Sequence, residues 1–242
     1  MEFLQKLALC LVLGVDKRKK FMLLISATPS PFARKVRIAM LEKGIPFELR
    51  NEVPWHSDTE TPAFNALEQL PILIPDDEEP VFESSYILEW LEARYPDPPL
   101  LPLDLQQKLE AKRVQVIAEG IMDATALLFF EQQREHPSLE WTKRQLRKVA
   151  GGLTELDRRV GDRGFFAGEK FSLADVAVIS VLGMQDVVED IKAADHWRTI
   201  DPAMLPWQTK YPNLKRFEMS LRDRPSIKST APVMFALSEK IV

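Results

Sequence analysis

The chain has 242 residues, enough for one or two domains with a proper core, and its 32 basic and 36 acidic residues leave a formal charge of −4. That balance excludes a general attraction to nucleic acid or to an anionic membrane. A single cysteine, Cys10, excludes an intrachain disulfide and suits a reducing compartment, and three scattered histidines (His56, His136, His196) offer no metal-ligand spacing.

The chain opens on an odd segment. Leu7 to Val15 is apolar and Asp16-Lys17-Arg18-Lys19-Lys20 follows it. The apolar run is far short of the roughly 20 residues of a spanning helix. A signal peptide carries its positive charge before the apolar run, whereas here the basic cluster lies after it. Residues 1–21 read as a dispensable or surface-bound extension, with an apolar segment joined to a polybasic patch as the alternative, a membrane-surface anchor.

Regular structure is expected from Met22 onward. Met22–Ser26 reads as a strand, and a helix runs from Pro31 to Lys43 with Gly44 as its left-handed stop. Ser30 is placed as the N-cap and Pro31 as the first helical residue. An N-cap hydroxyl lies beside unpaired backbone N–H groups and the positive end of the helix dipole, a setting that stabilises an anion such as a thiolate. Capping alone also accounts for Ser-Pro. Ser26 and Thr28 are competing hydroxyls in the same turn, but Ser30 alone precedes the proline.

A second strand follows over 45–52 and a short helix over 59–66. Leu70-Pro71 heads the apolar run Ile72-Leu73-Ile74; proline there leaves Leu70 extended, admits the cis form, and frees the Leu70 backbone to pair with an extended peptide. An ordinary edge-strand proline has the same signature. Ile72–Ile74 and Pro80–Phe82 form a hairpin across the acidic turn 76–79. A helix over 84–93 is capped by Ser84 or Ser85, its N-terminus suits a carboxylate, and Glu83 beside it suits an amino group. The proline-rich stretch at 96–99 is the clearest linker.

Beyond the linker the pattern is helical: 105–134, 139–159, 173–190 and 213–221. Ser172-Leu173-Ala174-Asp175 reads as a capping box with Ser172 as N-cap and Asp175 at N3, and Phe171 as a staple to Val176, a structural device with no chemistry. Gly120 inside the first long helix points to close packing or to room for a ligand.

Three helix and strand starts therefore suit a small peptide bearing a thiol, an amide backbone and an α-amino acid end. Ser30-Pro31-Phe32 with Arg34-Lys35-Val36-Arg37, Leu70-Pro71-Ile72-Leu73, Glu83-Ser84, Phe171-Ser172-Leu173-Ala174-Asp175 and Tyr211-Pro212-Asn213-Leu214 together resemble the cytosolic glutathione transferases. The closest flavour is the serine type of bacterial and fungal members. The resemblance implies a thioredoxin-like domain over 22–95 (α/β), a linker over 96–104 and an all-α helical bundle domain over 105–242. It implies a cytoplasmic homodimer that takes glutathione as cosubstrate, with no metal.

The same resemblance implies the site. Ser30 would be catalytic by donating a hydrogen bond to the glutathione thiolate, since tyrosine and cysteine are both missing from the strand–helix turn. A free thiol near pKa 8.5 is only a few per cent ionised at neutral pH, and lowering it two units takes about 2.7 kcal/mol. Phe32, Gln69, Leu70, Pro71, Glu83 and Ser84 would hold the rest of glutathione, and Met122, Thr125 and Phe129 would line the pocket for the electrophile. Glu68-Gln69 stands where Gly-Lys is frequent in the family, which weakens the hold on the glycine carboxylate.

Three functions follow from this reading. The first is conjugation of glutathione to small hydrophobic electrophiles. The second keeps glutathione but isomerises, reduces, dehalogenates or cleaves an ether in a catabolic or biosynthetic pathway. The third is a non-catalytic interaction module with the same fold.

Overall fold

The computed structural model describes residues 21–76, 78–193 and 207–234; the extension expected over 1–21 lies, but for its last residue, outside them. Strand β1 (Met22–Ser26) is nearly continuous in apolar residues because side chains on both of its faces are buried. Helix α1 (Pro31–Glu42) carries the chain across to β2 (Phe47–Asn51), which pairs with β1 in parallel, Met22 opposite Phe47 and Ser26 opposite Asn51. A short α2 (Thr61–Phe64) precedes β3 (Ile72–Ile74), which runs antiparallel to β1 and pairs in turn with β4 (Val81–Phe82). The sheet order is β2-β1-β3-β4, and α3 (Ser84–Arg94) closes this thioredoxin-like domain.

The helical domain comprises α4 (Leu105–Gln133), α5 (Leu139–Val160), α6 (Leu173–Ala193), α7 (Trp207–Lys210), α8 (Pro212–Leu221) and α9 (Pro225–Lys228). Helix α6 is apolar nearly all round and sits at the centre, against α1 and α4. Leu24, Val36 and Leu88 of the first domain belong to one continuous apolar cluster with Ile121, Phe166 and Val178 of the second. The two domains therefore share a core.

Helix ends follow their local chemistry. Helix α1 stops one residue earlier than expected, with Lys43 as C-cap, Gly44 at φ 62°, and the amides of Gly44 and Ile45 donating to Leu41 and Met40. That is a Schellman motif, and the left-handed residue is the glycine. Helix α2 is four residues rather than the eight expected, because the Asn65 side chain accepts from the Leu67 amide at 2.9 Å and donates to the Gln69 carbonyl at 2.9 Å. This competes with helix continuation. The box at Ser172 is one-sided: its amide and hydroxyl both donate to Asp175 Oδ2 at 2.8 Å, and the Phe166 amide donates to Oδ1 at 2.9 Å.

Buried cations join the domains. Lys35, with no exposed surface, donates to Glu119 on α4 at 2.6 Å and to Ser85 on α3 at 3.4 Å. Arg34 donates to the carbonyls of Ile179 at 3.0 Å and Ile227 at 3.3 Å, and a Cβ on Gly183 would lie 2.1 Å from its guanidinium. Lys43 binds Glu92 at 2.6 Å and the Tyr95 and Pro98 carbonyls, fixing the linker. Gly120 does not mark close packing, since a Cβ there meets nothing within 4 Å; Gly152 does, with Ile121 Cγ1 at 2.4 Å.

Candidate active site

The turn between β1 and α1 presents Ser30 as the N-cap of α1, and its Oγ accepts from the Ala33 amide at 3.2 Å. Using a lone pair in this way leaves the hydroxyl proton free to donate, and no acceptor for it is found among the described residues. Pro31 has no N–H and the Arg34 amide donates to the Ser30 carbonyl at 3.0 Å. Phe32 is thus the residue whose N–H remains open in the first turn. Of the three hydroxyls in the turn, Ser30 lines a cavity, whereas Ser26 is fully buried and Thr28 does not reach it.

That cavity measures about 840 Å³ and lies between the two domains. Phe32, Gln69, Leu70, Glu83 and Ser84 line it together with Ser30, and so do Thr125 and Phe129 from α4. Pro71 is buried just behind, at the head of β3, and its bond to Leu70 is cis. Among the described residues, nothing bonds to the Leu70 amide or carbonyl. Met122 is placed differently from expectation: it is fully buried in the core and does not face the cavity.

Helix α3 is capped neither by Ser84 nor by Ser85. Glu83 caps it, accepting from the Ser85 and Tyr86 amides at 3.0 Å each, with φ 71° and ψ 120°. A side chain at positive φ is strained by roughly 1–3 kcal/mol, and such strain collects at functional sites. Ser84 donates its hydroxyl to the same carboxylate at 3.3 Å, so the Ser84 amide is left as the open donor at this helix end.

Several lining residues were not among the expected ones. Asp123 on α4 joins Glu83 at the polar part of the cavity, and its carboxyl pKa is raised by burial and by the negative charge of Glu119. Lys148 on α5 lines the wall as well and pulls the Asp123 pKa back down. Trp55 from the β2–α2 loop meets Phe130 of α4 edge to face, with ring centroids 5.7 Å apart. Asp123 closes the stretch Glu119-Gly120-Ile121-Met122-Asp123, which resembles one in serine-type bacterial glutathione transferases and is the signal that could have found it; Trp55 carries no local signal.

Glutathione S-transferase N-terminal and C-terminal domain families match residues 24–99 and 140–217 respectively. The Escherichia coli (strain K12) uncharacterized GST-like protein YibF is 31% identical over 213 residues, which span 87% of this chain and 98% of that protein. The chain belongs to the glutathione S-transferase family. Among solved structures, a glutathione S-transferase of Methylobacterium radiotolerans in complex with glutathione sulfonate is 44% identical, with a TM-score of 0.83 over 92% of this chain and all of that one. A Methylobacillus flagellatus glutathione S-transferase with glutathione bound is 32% identical, with a TM-score of 0.79 over 88% of this chain and all of that one. This transferase has no helix among its described residues long and apolar enough to cross a membrane. No metal-ligating group occurs among them either.

Proposed function

We propose that this transferase is of the serine type and activates the thiol of glutathione for attack on a small hydrophobic electrophile. The observation that carries this is the first turn of α1, where the Ser30 O–H and the Phe32 N–H are open donors facing one cavity. Two donors and a helix N-terminus stabilise a thiolate over a thiol. The nucleophile is then glutathione itself, and the protein supplies ionisation and position.

The rest of the tripeptide follows the lining. The Leu70 backbone, ahead of Pro71, would pair with the peptide as an added strand does. Glu83 and Asp123 would face the α-amino group, and the open Ser84 amide the adjacent carboxylate. Gln69 would donate a neutral hydrogen bond to the glycine carboxylate, with Glu68 beside it as an opposing charge, so affinity for glutathione is expected to be modest. The electrophile would lie on the apolar wall near Thr125 and Phe129. A homodimer accords with the exposed apolar stripe Leu105, Leu109 and Val116 along α4.

Calorimetry of glutathione binding, together with the thiol's ultraviolet absorbance against pH, tests the reading. Wild type should bind and depress the thiol pKa; Ser30→Gly, which costs the helix start only a few tenths of a kcal/mol, should bind and lose the depression. A thiol pKa still depressed in Ser30→Gly would remove Ser30 from catalysis. No binding at millimolar glutathione would leave the non-catalytic interaction module.

A further inference from the structure

The apolar half of the cavity has an aromatic construction. Trp55 belongs to the thioredoxin-like domain and Phe130 to the helical domain, yet their rings meet edge to face at 5.7 Å and 84°. Phe130 in turn meets Phe129 at 5.5 Å and 70°. All three line the cavity. Nearby, the Thr125 hydroxyl donates to the Ile121 carbonyl at 2.9 Å and accepts from Gln185 Nε2 at 3.1 Å. Its polarity is spent within the protein, so this part of the wall offers ring faces, ring edges and no open hydroxyl.

Resting on the glutathione reading above, we propose that Trp55 is a specificity-determining residue. Together with Phe129 and Phe130 it selects electrophiles whose reacting carbon sits on a flat aromatic ring, over flexible aliphatic ones. Rings packed at 70° and 84° present alternating positive edges and negative faces, and an incoming ring gains from both beyond its buried area. A flexible chain gains area alone and loses rotamer freedom on binding. Because Trp55 and Phe130 come from different domains, the selection depends on how the domains are held, which the Lys35–Glu119 pair secures.

Binding of three probes separates the claims: glutathione, S-(2,4-dinitrophenyl)glutathione and S-hexylglutathione, each titrated calorimetrically. Wild type should bind the aryl conjugate at least tenfold tighter than the hexyl one. Trp55→Ala should reduce that aryl-to-hexyl preference about tenfold, and Trp55→Phe should restore most of it. Glutathione bound with no aryl preference in wild type would overturn the proposal, as would a Trp55→Ala effect equal on all three probes, which would put Trp55 in the peptide site. If glutathione itself does not bind, the functional reading above fails first and takes this one with it. Should Trp55→Ala not fold, Phe130→Leu is the substitute, with the same loss of preference expected.

Discussion

Asp175 shows how one side chain can hold a domain at a measurable cost. Its carboxylate takes three hydrogen bonds, from the Phe166 amide, the Ser172 amide and the Ser172 hydroxyl, at 2.8–2.9 Å. Burial nevertheless outweighs them and pushes its pKa up to about 6. The folded state thus keeps this proton more tightly than the unfolded chain does. Its contribution to stability is fully present below pH 3.8 and is lost as pH rises toward 6, by about 3 kcal/mol. Glu42 trends the opposite way, its bonds to Arg224 and Ser226 outweighing its burial, so the difference from a variant isolates the effect. The stability gap between wild type and Asp175→Asn, from urea unfolding, should therefore shrink by about 2 kcal/mol between pH 4 and pH 7. Asp175→Ala orphans two buried amides and should cost about 3 kcal/mol at pH 4.

At the scale of elements, what the sequence made legible was punctuation. Ser30-Pro31 and Gly44 mark the two ends of α1 because an N-cap, a first-turn proline and a left-handed glycine each act within a few residues. The cap of α3 was misjudged because Glu83 takes its role at φ 71°, a backbone state that tertiary contacts impose and no local pattern announces. Helix phase explains the cavity wall: Met122, Thr125 and Phe129 share a stripe, but α4 touches both core and cavity, and Met122 falls on the core side. Trp55 and Phe130 meet across two domains, and periodicity cannot reach that far. Close packing of α4 on α5 rests on Gly152 instead of Gly120. Gly152→Ala should cost about 1–3 kcal/mol, because its Cβ would lie 2.4 Å from Ile121 Cγ1. Combined with Ile121→Ala it should cost markedly less than the two separate losses added, which a double-mutant cycle of unfolding free energies checks.

Across the whole molecule, the cavity exists only while the domains stay registered, and Lys35 is placed to keep them so. Its ammonium is completely buried and meets Glu119 at 2.6 Å, while Ser85 bonds both members. The two ends of the pair are not equivalent, because the Glu119 side chain retains 26% exposure and Lys35 none. Removing the carboxylate strands a buried cation; removing the cation leaves a carboxylate that keeps Ser85 and reaches water. Glu119→Leu should therefore cost about 3–5 kcal/mol and Lys35→Met clearly less, with the double variant recovering much of the loss. The same charges reach the cavity, since Glu119 raises the Asp123 pKa and Lys35 lowers it. Lys35→Met should then weaken binding of an amino-bearing ligand at acidic pH more than at neutral pH, as Asp123 protonates earlier. Equal losses from Glu119→Leu and Lys35→Met would show that the pair contributes only packing, and a pH-independent binding change would separate Asp123 from the amino group.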